Sequence, residues 1–389
     1  IVASVYFGRA QNPKQLAVEE VYNLALQHNN GLKAMALNQE ESKALEKSAS
    51  LFADTNVYYS YDENNLAIND RPIDVFGVAQ EFKFPTAYVA EKRLLQQHYE
   101  VSKQAFNVAN VTLKRVIYAA YYTLNYKEHQ MKTYKFLDSL FLDFASKAER
   151  RFELGESNYL EMITARSKYQ QIKTAYKQVQ QGVLKQRIEL QKIVQVEDLS
   201  VTTISQPIEK LTLQQLNLDN NVSLAQMQTA VDYQEAKTVF AKQQLLPQLT
   251  AEYFQGTNSG LKDQLIGYQF GIKIPVLFGG KRAKIKAEKL AKEALLNKQK
   301  DFSVSLESKQ QSLLAELRQY DAALAYYEKE GKALAEEILN TANKSYKGGE
   351  IDFFQYIQSI ETAKDIHLDY LKQLHQYNQT VIKINYLTL

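Results

Sequence analysis

Two stretches of the chain alternate between apolar and small or polar residues, and a very long run of helical periodicity follows each. From Phe76 the even positions Phe76, Val78, Phe82 and Phe84 are apolar, with Gln80 the exception, while Gly77, Ala79, Glu81 and Lys83 hold the odd ones. Ile266, Tyr268, Phe270, Ile272 and Ile274 repeat this against Gly267, Gln269, Gly271 and Lys273. A period of two marks a strand with one apolar and one wet face. Shorter alternations at Val57, Tyr59 and Tyr61, and at Leu249, Ala251 and Tyr253, predict a partner strand for each. The four predicted strands lie near 55–62, 72–85, 248–256 and 264–275, with polar connections at 62–70 and 255–263.

Each strand pair gives way to helix. Residues 87–150 contain neither Pro nor Gly, and 281–347 are interrupted only by Gly331. Phe106, Ala109, Leu113, Val116, Ala120 and Leu124 keep three–four spacing in the first run, as do Leu313, Leu317, Tyr320, Leu324 and Tyr327 in the second. About 65 residues at a rise of 1.5 Å would reach roughly 100 Å. A helix of that length is stable only when packed lengthwise on others. Gly155 and the pair Gly348-Gly349 stand at the far ends of these runs, each before a new apolar-periodic stretch. Glycine there permits the positive φ that stops a helix and starts an antiparallel return.

The whole pattern occurs twice. Glu81-Phe82-Lys83-Phe84-Pro85 followed by Lys92-Arg93 recurs as Gly271-Ile272-Lys273-Ile274-Pro275 followed by Lys281-Arg282. Arg151 to Glu156 recurs as Ser345 to Glu350, Leu51-Phe52 before Tyr59 as Leu245-Leu246 before Tyr253, and Leu16 to Glu20 as Leu211 to Gln215. Four matches in one order at nearly constant offset define an internal duplication. The predicted organisation is a leading segment 1–10, a first helix–strand–strand–helix repeat 11–200 and a second repeat 201–389, the two forming one continuous structure. Ile1 to Phe7 is apolar and Gly8-Arg9-Ala10 follows, which fits the tail of a signal peptide cleaved after Ala10. A fragment boundary or the junction to an upstream membrane protein are the alternatives.

Composition narrows the class. With 47 Lys+Arg against 44 Asp+Glu there is no basic stripe for nucleic acid. Only 14 Gly and 6 Pro occur, so turns are few and elements long. The absence of Cys removes disulfides, thiolate metal sites and cysteine nucleophiles. No run of eighteen apolar residues could form a spanning helix. Aromatic residues such as Tyr59, Phe76, Tyr253, Tyr268 and Phe270 crowd the apolar face of the predicted strands, which suits a barrel's lipid interface with small and charged residues facing water. Four strands cannot enclose an aqueous channel, since about eight are needed merely to pack side chains. Open edges are not tolerated in lipid, so copies must associate, and three would supply twelve strands. A soluble sandwich would show the same alternation.

Catalytic signatures are missing. His28, His98, His129, His367 and His375 are scattered, and His367 and His375 lie too far apart for the i, i+4 spacing that shares a metal. Glu19-Glu20 and Glu336-Glu337 read as solvated helix faces. No catalytic, cofactor-binding or metal-binding residue is predicted, and the chain is not expected to be an enzyme.

The motif Arg151-Phe152-Glu153-Leu154-Gly155-Glu156-Ser157-Asn158-Tyr159-Leu160 resembles the first helical tip of the TolC family of outer-membrane efflux channels. Ser345 to Phe354 resembles the second tip, Ile274 to Arg282 the strand exit into the long helix, and Val18 to Lys33 the opening helix. The resemblance implies a mainly α protomer with a small β part, internally duplicated, whose long periplasmic coiled-coil helices continue a trimeric twelve-stranded outer-membrane β-barrel. It implies a Gram-negative outer-membrane location, a homotrimer bathed in outer-membrane lipid, and tips at Gly155, Glu156, Gly348, Gly349 and Glu350 that dock a periplasmic adaptor linked to an inner-membrane pump of the RND type. Phe278 to Ala287, with Gln255 to Gly260 before it, resembles the heavy-metal branch. Family members often narrow the periplasmic entrance with aspartates past the second tip; here Gln355 and Gln358 stand at the matching positions, with Glu161 at the equivalent place in the first repeat. A charged ring is therefore in doubt, and Tyr356 is the candidate to close the entrance by packing, although plain interhelical packing explains it equally. Two other functions fit the sequence: the same kind of channel serving type I protein secretion, and a soluble coiled-coil interaction protein.

Overall fold

The computed structural model describes residues 14–196, 201–203, 208–214, 218–276 and 278–388. The leading segment 1–10 and its cleavage site lie outside these, as does Leu277 of the strand-exit motif. In chain order the elements are β1 (Lys14–Gln15), α1 (Val18–His28), α2 (Asn30–Leu45), β2 (Asn56–Leu66), β3 (Pro72–Phe82), α3 (Pro85–Glu153) and α4 (Tyr159–Val194). Then come β4 (Val201–Thr202), α5 (Val222–Gln243), β5 (Gln248–Thr257), β6 (Leu265–Lys273), α6 (Gly279–Tyr326), α7 (Lys332–Gly348) and α8 (Phe353–Asn385). A π-helical turn at Tyr327–Gly331 separates α6 from α7, so the one glycine interrupting the second helical run marks the point where the α ladder widens.

Two compact units emerge, each drawing on both repeats: one from 1–33, 109–218 and 306–389, the other from 34–108 and 219–305. The first is helical. Val21 and Ala25 of α1 pack with Ile117, Tyr121 and Leu124 of α3, Leu190 and Val194 of α4, and Ile382 of α8. A second cluster joins Leu137, Phe141 and Phe144 of α3 to Ala165 and Ile172 of α4 and to Phe353, Tyr356 and Ile360 of α8. Both clusters recur at three–four spacing, the stripe that lets helices pack lengthwise.

Two details of this unit depart from the sequence reading. Beside the four predicted strands, β1 and β4 form a two-residue parallel ribbon with Lys14 opposite Val201 and Gln15 opposite Thr202. Alternation over two residues leaves no pattern to read. The stretch from Leu211, matched in sequence to the start of α1, is not helical in residues 208–214. Side-chain amides of α8 hold it extended: Asn378 accepts from the Leu211 N–H and donates to the Glu209 carbonyl, and Asn385 does the same for Gln214 and Thr212, all at 2.8–3.0 Å.

The residue leading out of β4 is fixed by a buried charge. Glu128 is fully buried, pairs with Arg187 of α4, and accepts from the Thr203 N–H at 2.6 Å and hydroxyl at 2.9 Å. Asn125 donates to the Thr203 carbonyl at 3.1 Å.

In the second unit, α2 packs on the first part of α3 through Ser42–Ser102 at 2.6 Å and Gln39–Tyr99 at 3.3 Å. In the other repeat α5 packs on α6 through Gln234–Glu288 and Lys292–Glu235. Hydrophilic contacts between helices and an open sheet leave this unit without the aliphatic core of the first. Among the described residues no helix is long and apolar enough to cross a membrane.

Removing a buried charge from its partner strands the other, so Glu128→Ala is expected to lower stability by about 3 kcal/mol, read as a drop in Tm. A pH effect centres on His375, stacked on Tyr126 at 4.5 Å with its Nδ1 buried and without a hydrogen-bond partner. Burial, reinforced by Lys127, pulls its pKa from 6.5 down to about 4. Between those values the unfolded chain binds the extra proton and the folded chain does not, so stability falls as pH drops from 6.5 towards 4 and levels below. His375→Phe keeps the stack and removes the titration. Its Tm should decline less over that window than the parent's.

Candidate membrane face and helix tips

The four-stranded sheet runs in the order β2-β3-β5-β6, antiparallel throughout. Its register gathers the predicted apolar positions within the strands on one face, while Phe84 and Ile274 fall beyond the ends of β3 and β6. Val57 pairs Val78 and Tyr59 pairs Phe76; Val78 pairs Tyr253 and Phe82 pairs Leu249; Tyr253 pairs Tyr268 and Leu249 pairs Ile272. Cross-strand partners share a face, so two repeats that are distant in sequence present one continuous surface. Within the chain that surface is bare: Phe270 is 81% exposed and Tyr268 70%. Strands of 11, 11, 10 and 9 residues match the nine to eleven that a tilted strand needs to cross hydrocarbon.

The other face holds Glu81, Glu252, Gln269 and Lys273 with the glycines, as expected, and also two rings the alternation does not reveal. Tyr58 lies over Gly77 and Phe254 over Gly267, where a Cβ on either glycine would collide with the ring. Tyr58 donates to Glu252, and Lys273 pairs with Glu81 across the sheet. Only the cross-strand register could identify these pairs. At the turn end, Asn69 and Asn258 exchange amide hydrogen bonds at 3.0 Å each, joining the loop of one hairpin to that of the other.

In the helical unit both tips are built alike. The backbone is left-handed at Gly155 (φ 73°) and Gly349 (φ 72°), and Glu156 and Glu350 donate their N–H to the carbonyls of Arg151 and Ser345, both at 2.8 Å. This six-to-one closure satisfies helix-end carbonyls that α-helical bonding leaves free. Asn158 then caps α4, accepting from the Glu161 N–H at 2.9 Å, and Asp352 caps α8, accepting from Gln355 at 2.8 Å. Gly348 is the last helical residue and shows no positive φ.

The structure brings the two tips together around a cleft of about 800 Å³ whose lining includes Glu156, Glu161, Tyr346, Gly349 and Asp352. Glu161 is not a free carboxylate: it pairs with Arg151 at 3.1 Å. Tyr356 is buried, stacked on Tyr346 at 4.5 Å and donating to Asn343 at 2.7 Å. Burial pushes both phenols above their ordinary pKa, with Glu161 adding to the effect at Tyr346 and Tyr346 to that at Tyr356. Gln355 and Gln358 are exposed, and Gln355 closes the capping box by accepting from the Asp352 N–H at 3.0 Å. Exposed Leu154, Tyr159, Leu160 and Phe354 complete the tips. All four lie within the two tip motifs, but the sequence singled out only the glycines and glutamates there.

Nothing lies within 4 Å of a Cβ built on Gly155 or Gly349, so substitution there costs backbone strain alone. Gly349→Val should destabilise by about 1–2 kcal/mol and Gly349→Asn by less, because Asn tolerates the left-handed region. Gly348→Ala, in ordinary helix, should be neutral or stabilising in the same Tm series.

No family model and no curated protein matches the chain. Solved structures do. A membrane protein from Pseudomonas aeruginosa superposes with a TM-score of 0.80 at 13% identity, covering 97% of this chain and 99% of its own. CusC, described for its folding and transmembrane channel formation, gives 0.80 at 14% over 97% and 94%. The Neisseria gonorrhoeae MtrE outer membrane channel, in its open state, gives 0.76 at 15% over 97% and 93%. The chain thus carries, nearly end to end, the protomer fold of the TolC-type outer-membrane channels.

Proposed function

We propose that three copies of this chain form an outer-membrane exit duct in a Gram-negative bacterium, with a long periplasmic portion. The observation that carries the proposal is the open sheet with its bare apolar face. Because β2, β3, β5 and β6 alternate in direction, β6 of one copy runs antiparallel to β2 of the next. Rotation about one axis therefore closes an all-antiparallel ring, and three copies supply twelve strands around water. A closed ring is how strands satisfy their backbone in lipid.

In this reading the tips at Gly155, Glu156, Gly348, Gly349 and Glu350 receive a periplasmic adaptor, with exposed Leu154, Leu160 and Phe354 as its apolar contacts. The adaptor joins the duct to an inner-membrane pump of the RND type. Gln355 and Gln358 line the periplasmic constriction as neutral groups, Glu161 is neutralised by Arg151, and Tyr356 sets the constriction's shape from within the packed helices. The cargo is small and passes without chemistry. The likeness of residues 278–287 to the heavy-metal branch makes metal ions the first cargo to test.

Fractionation should recover the chain in outer membranes as a heat-labile trimer, and a soluble monomer would overturn the proposal. A deletion strain should become sensitive to copper, zinc, cobalt or silver. Unchanged tolerance with loss of an exported protein would move the duct to type I secretion. Gly155→Val and Gly349→Val should abolish efflux while the trimer still assembles, and normal efflux in both would exclude tip docking.

A further inference from the structure

The start of α6 carries a charge pattern that the duct reading does not use. Between Gly279 and Lys289 stand Lys281, Arg282, Lys284, Lys286 and Lys289 against a single acid, Glu288. Their side chains are not equivalent. Lys281 donates to the Gln244 carbonyl at 2.6 Å, and Lys292, three turns on, pairs with Glu235 at 3.1 Å. These two belong to the side of α6 that holds α5, as does Glu288 through Gln234. Arg282, Lys286 and Lys289 follow at i, i+4 and i+7, which places them on one stripe. All three are exposed, and among the described residues no ion pair engages them or Lys284.

The stripe is continuous with the apolar face of the sheet. Beyond β6 the even positions Ile274 and Val276 remain apolar and 63% and 80% exposed. Phe278 follows, and the Arg282 guanidinium sits over its ring at 5.9 Å. The run therefore passes from aliphatic, to aromatic with a cation on its face, to bare cations. That is the order of a membrane boundary, where aromatic rings sit at headgroup level and basic side chains reach outward from it. The first repeat repeats it in outline: Lys83 is paired with Glu91, while Lys92 and Arg93 on the first turns of α3 are exposed.

Dimensions fit as well. From Arg282 to Lys289 is seven residues, about 10 Å of helix. A headgroup layer occupies roughly 5–8 Å on each side of the hydrocarbon. Glu293, the next stripe position after Lys289, lies about 16 Å along the helix from Arg282, beyond that layer, and restores negative charge there.

We propose that Arg282, Lys286 and Lys289, with Lys284 beside them, bind the phosphates of anionic phospholipids in the leaflet where the sheet gives way to helix, forming a cationic collar that sets the depth of the barrel. The collar rests on the reading that the sheet lies in a membrane. Clustered basic residues next to a membrane segment attract anionic headgroups, and a phospholipid surface complements both halves of this feature, acyl chain against Val276 and Phe278 and phosphate against the stripe.

The test uses the full chain reconstituted into vesicles of phosphatidylcholine with or without phosphatidylglycerol, then extracted and weighed by native mass spectrometry for retained lipid. The parent should retain phosphatidylglycerol in preference to phosphatidylcholine, and Arg282→Gln/Lys286→Gln/Lys289→Gln should lower that preference at least about tenfold. Lys298→Gln/Lys300→Gln/Lys309→Gln removes the same charge farther along α6 and should retain it. Equal retention by the two triple variants would overturn the collar. So would unchanged lipid retention with altered ion selectivity in planar bilayers, which would place the stripe in the water-filled lumen. Both results leave the duct standing. Failure of the parent chain to insert into either vesicle would instead defeat the membrane reading, and the collar with it.

Discussion

The outer edges of β2 and β6 each present a row of backbone N–H and C=O groups that, among the described residues, no strand of the same chain pairs. In water such an edge is a liability; in hydrocarbon every unpaired group costs several kcal/mol and the edge cannot exist. The sheet face makes the same demand from another direction, because side chains such as Tyr59, Tyr268, Phe270 and Ile272 stand largely exposed. A chain with this sheet is thermodynamically incomplete. Lipid can cover the face but not the edges, and another copy can pair the edges but not cover the face. In the proposed membrane assembly both requirements are met together, and the alternating strand directions allow such an association to close.

The helical unit solves a different problem with ordinary means. Long stripes of Ile, Leu and Tyr bury against one another, and the irregular stretches between the repeats are tied down by side chains that replace the missing ladder bonds. Asn378 and Asn385 serve an extended strand from the side of a helix, and Glu128 receives both the N–H and the hydroxyl of Thr203. A buried polar group is retained when fully satisfied. These contacts fix the connection between the repeats onto the helices that carry the tips.

The duplication shows how one backbone solution is furnished in two ways. Both tips close with glycine at the left-handed position and a carboxamide or carboxylate at the next helix start. At the first tip the ion pair Arg151–Glu161 crosses the turn, whereas at the second Ser345 donates to Glu350 and the rings of Tyr346, Tyr356 and Phe353 pack around Phe144. In the proposed duct a constriction at these positions would be neutral at Gln355 and Gln358 and would carry a charge at Glu161 compensated by Arg151. A duct that must release its cargo has no use for a strong fixed site in that position.

Much of this was legible in the residues because it is local. Period-two alternation identified all four long strands and their apolar side, since side-chain direction in a strand depends only on parity. Glycine placement located both helix stops, since backbone sterics act within a few residues, whereas the π turn at Tyr327–Gly331 emerged only in the structure. What depends on partners distant in the chain was not legible. The pairing of β3 with β5 joins Val78 to Tyr253, that of β2 with β3 sets Tyr58 over Gly77, that of β5 with β6 sets Phe254 over Gly267, and β1 meets β4. The match of Leu211 to Leu16 did not foretell the backbone beyond it, because side-chain amides of α8 bond residues 209–214, which are not helical. By itself the sequence determined the four long strands, the long helices, the glycine stops at their tips and which face of each long strand is apolar. Only the tertiary structure decided which strands meet, which charges are spent on one another and which are left facing outward, because those outcomes depend on register and packing between segments that share no local signal.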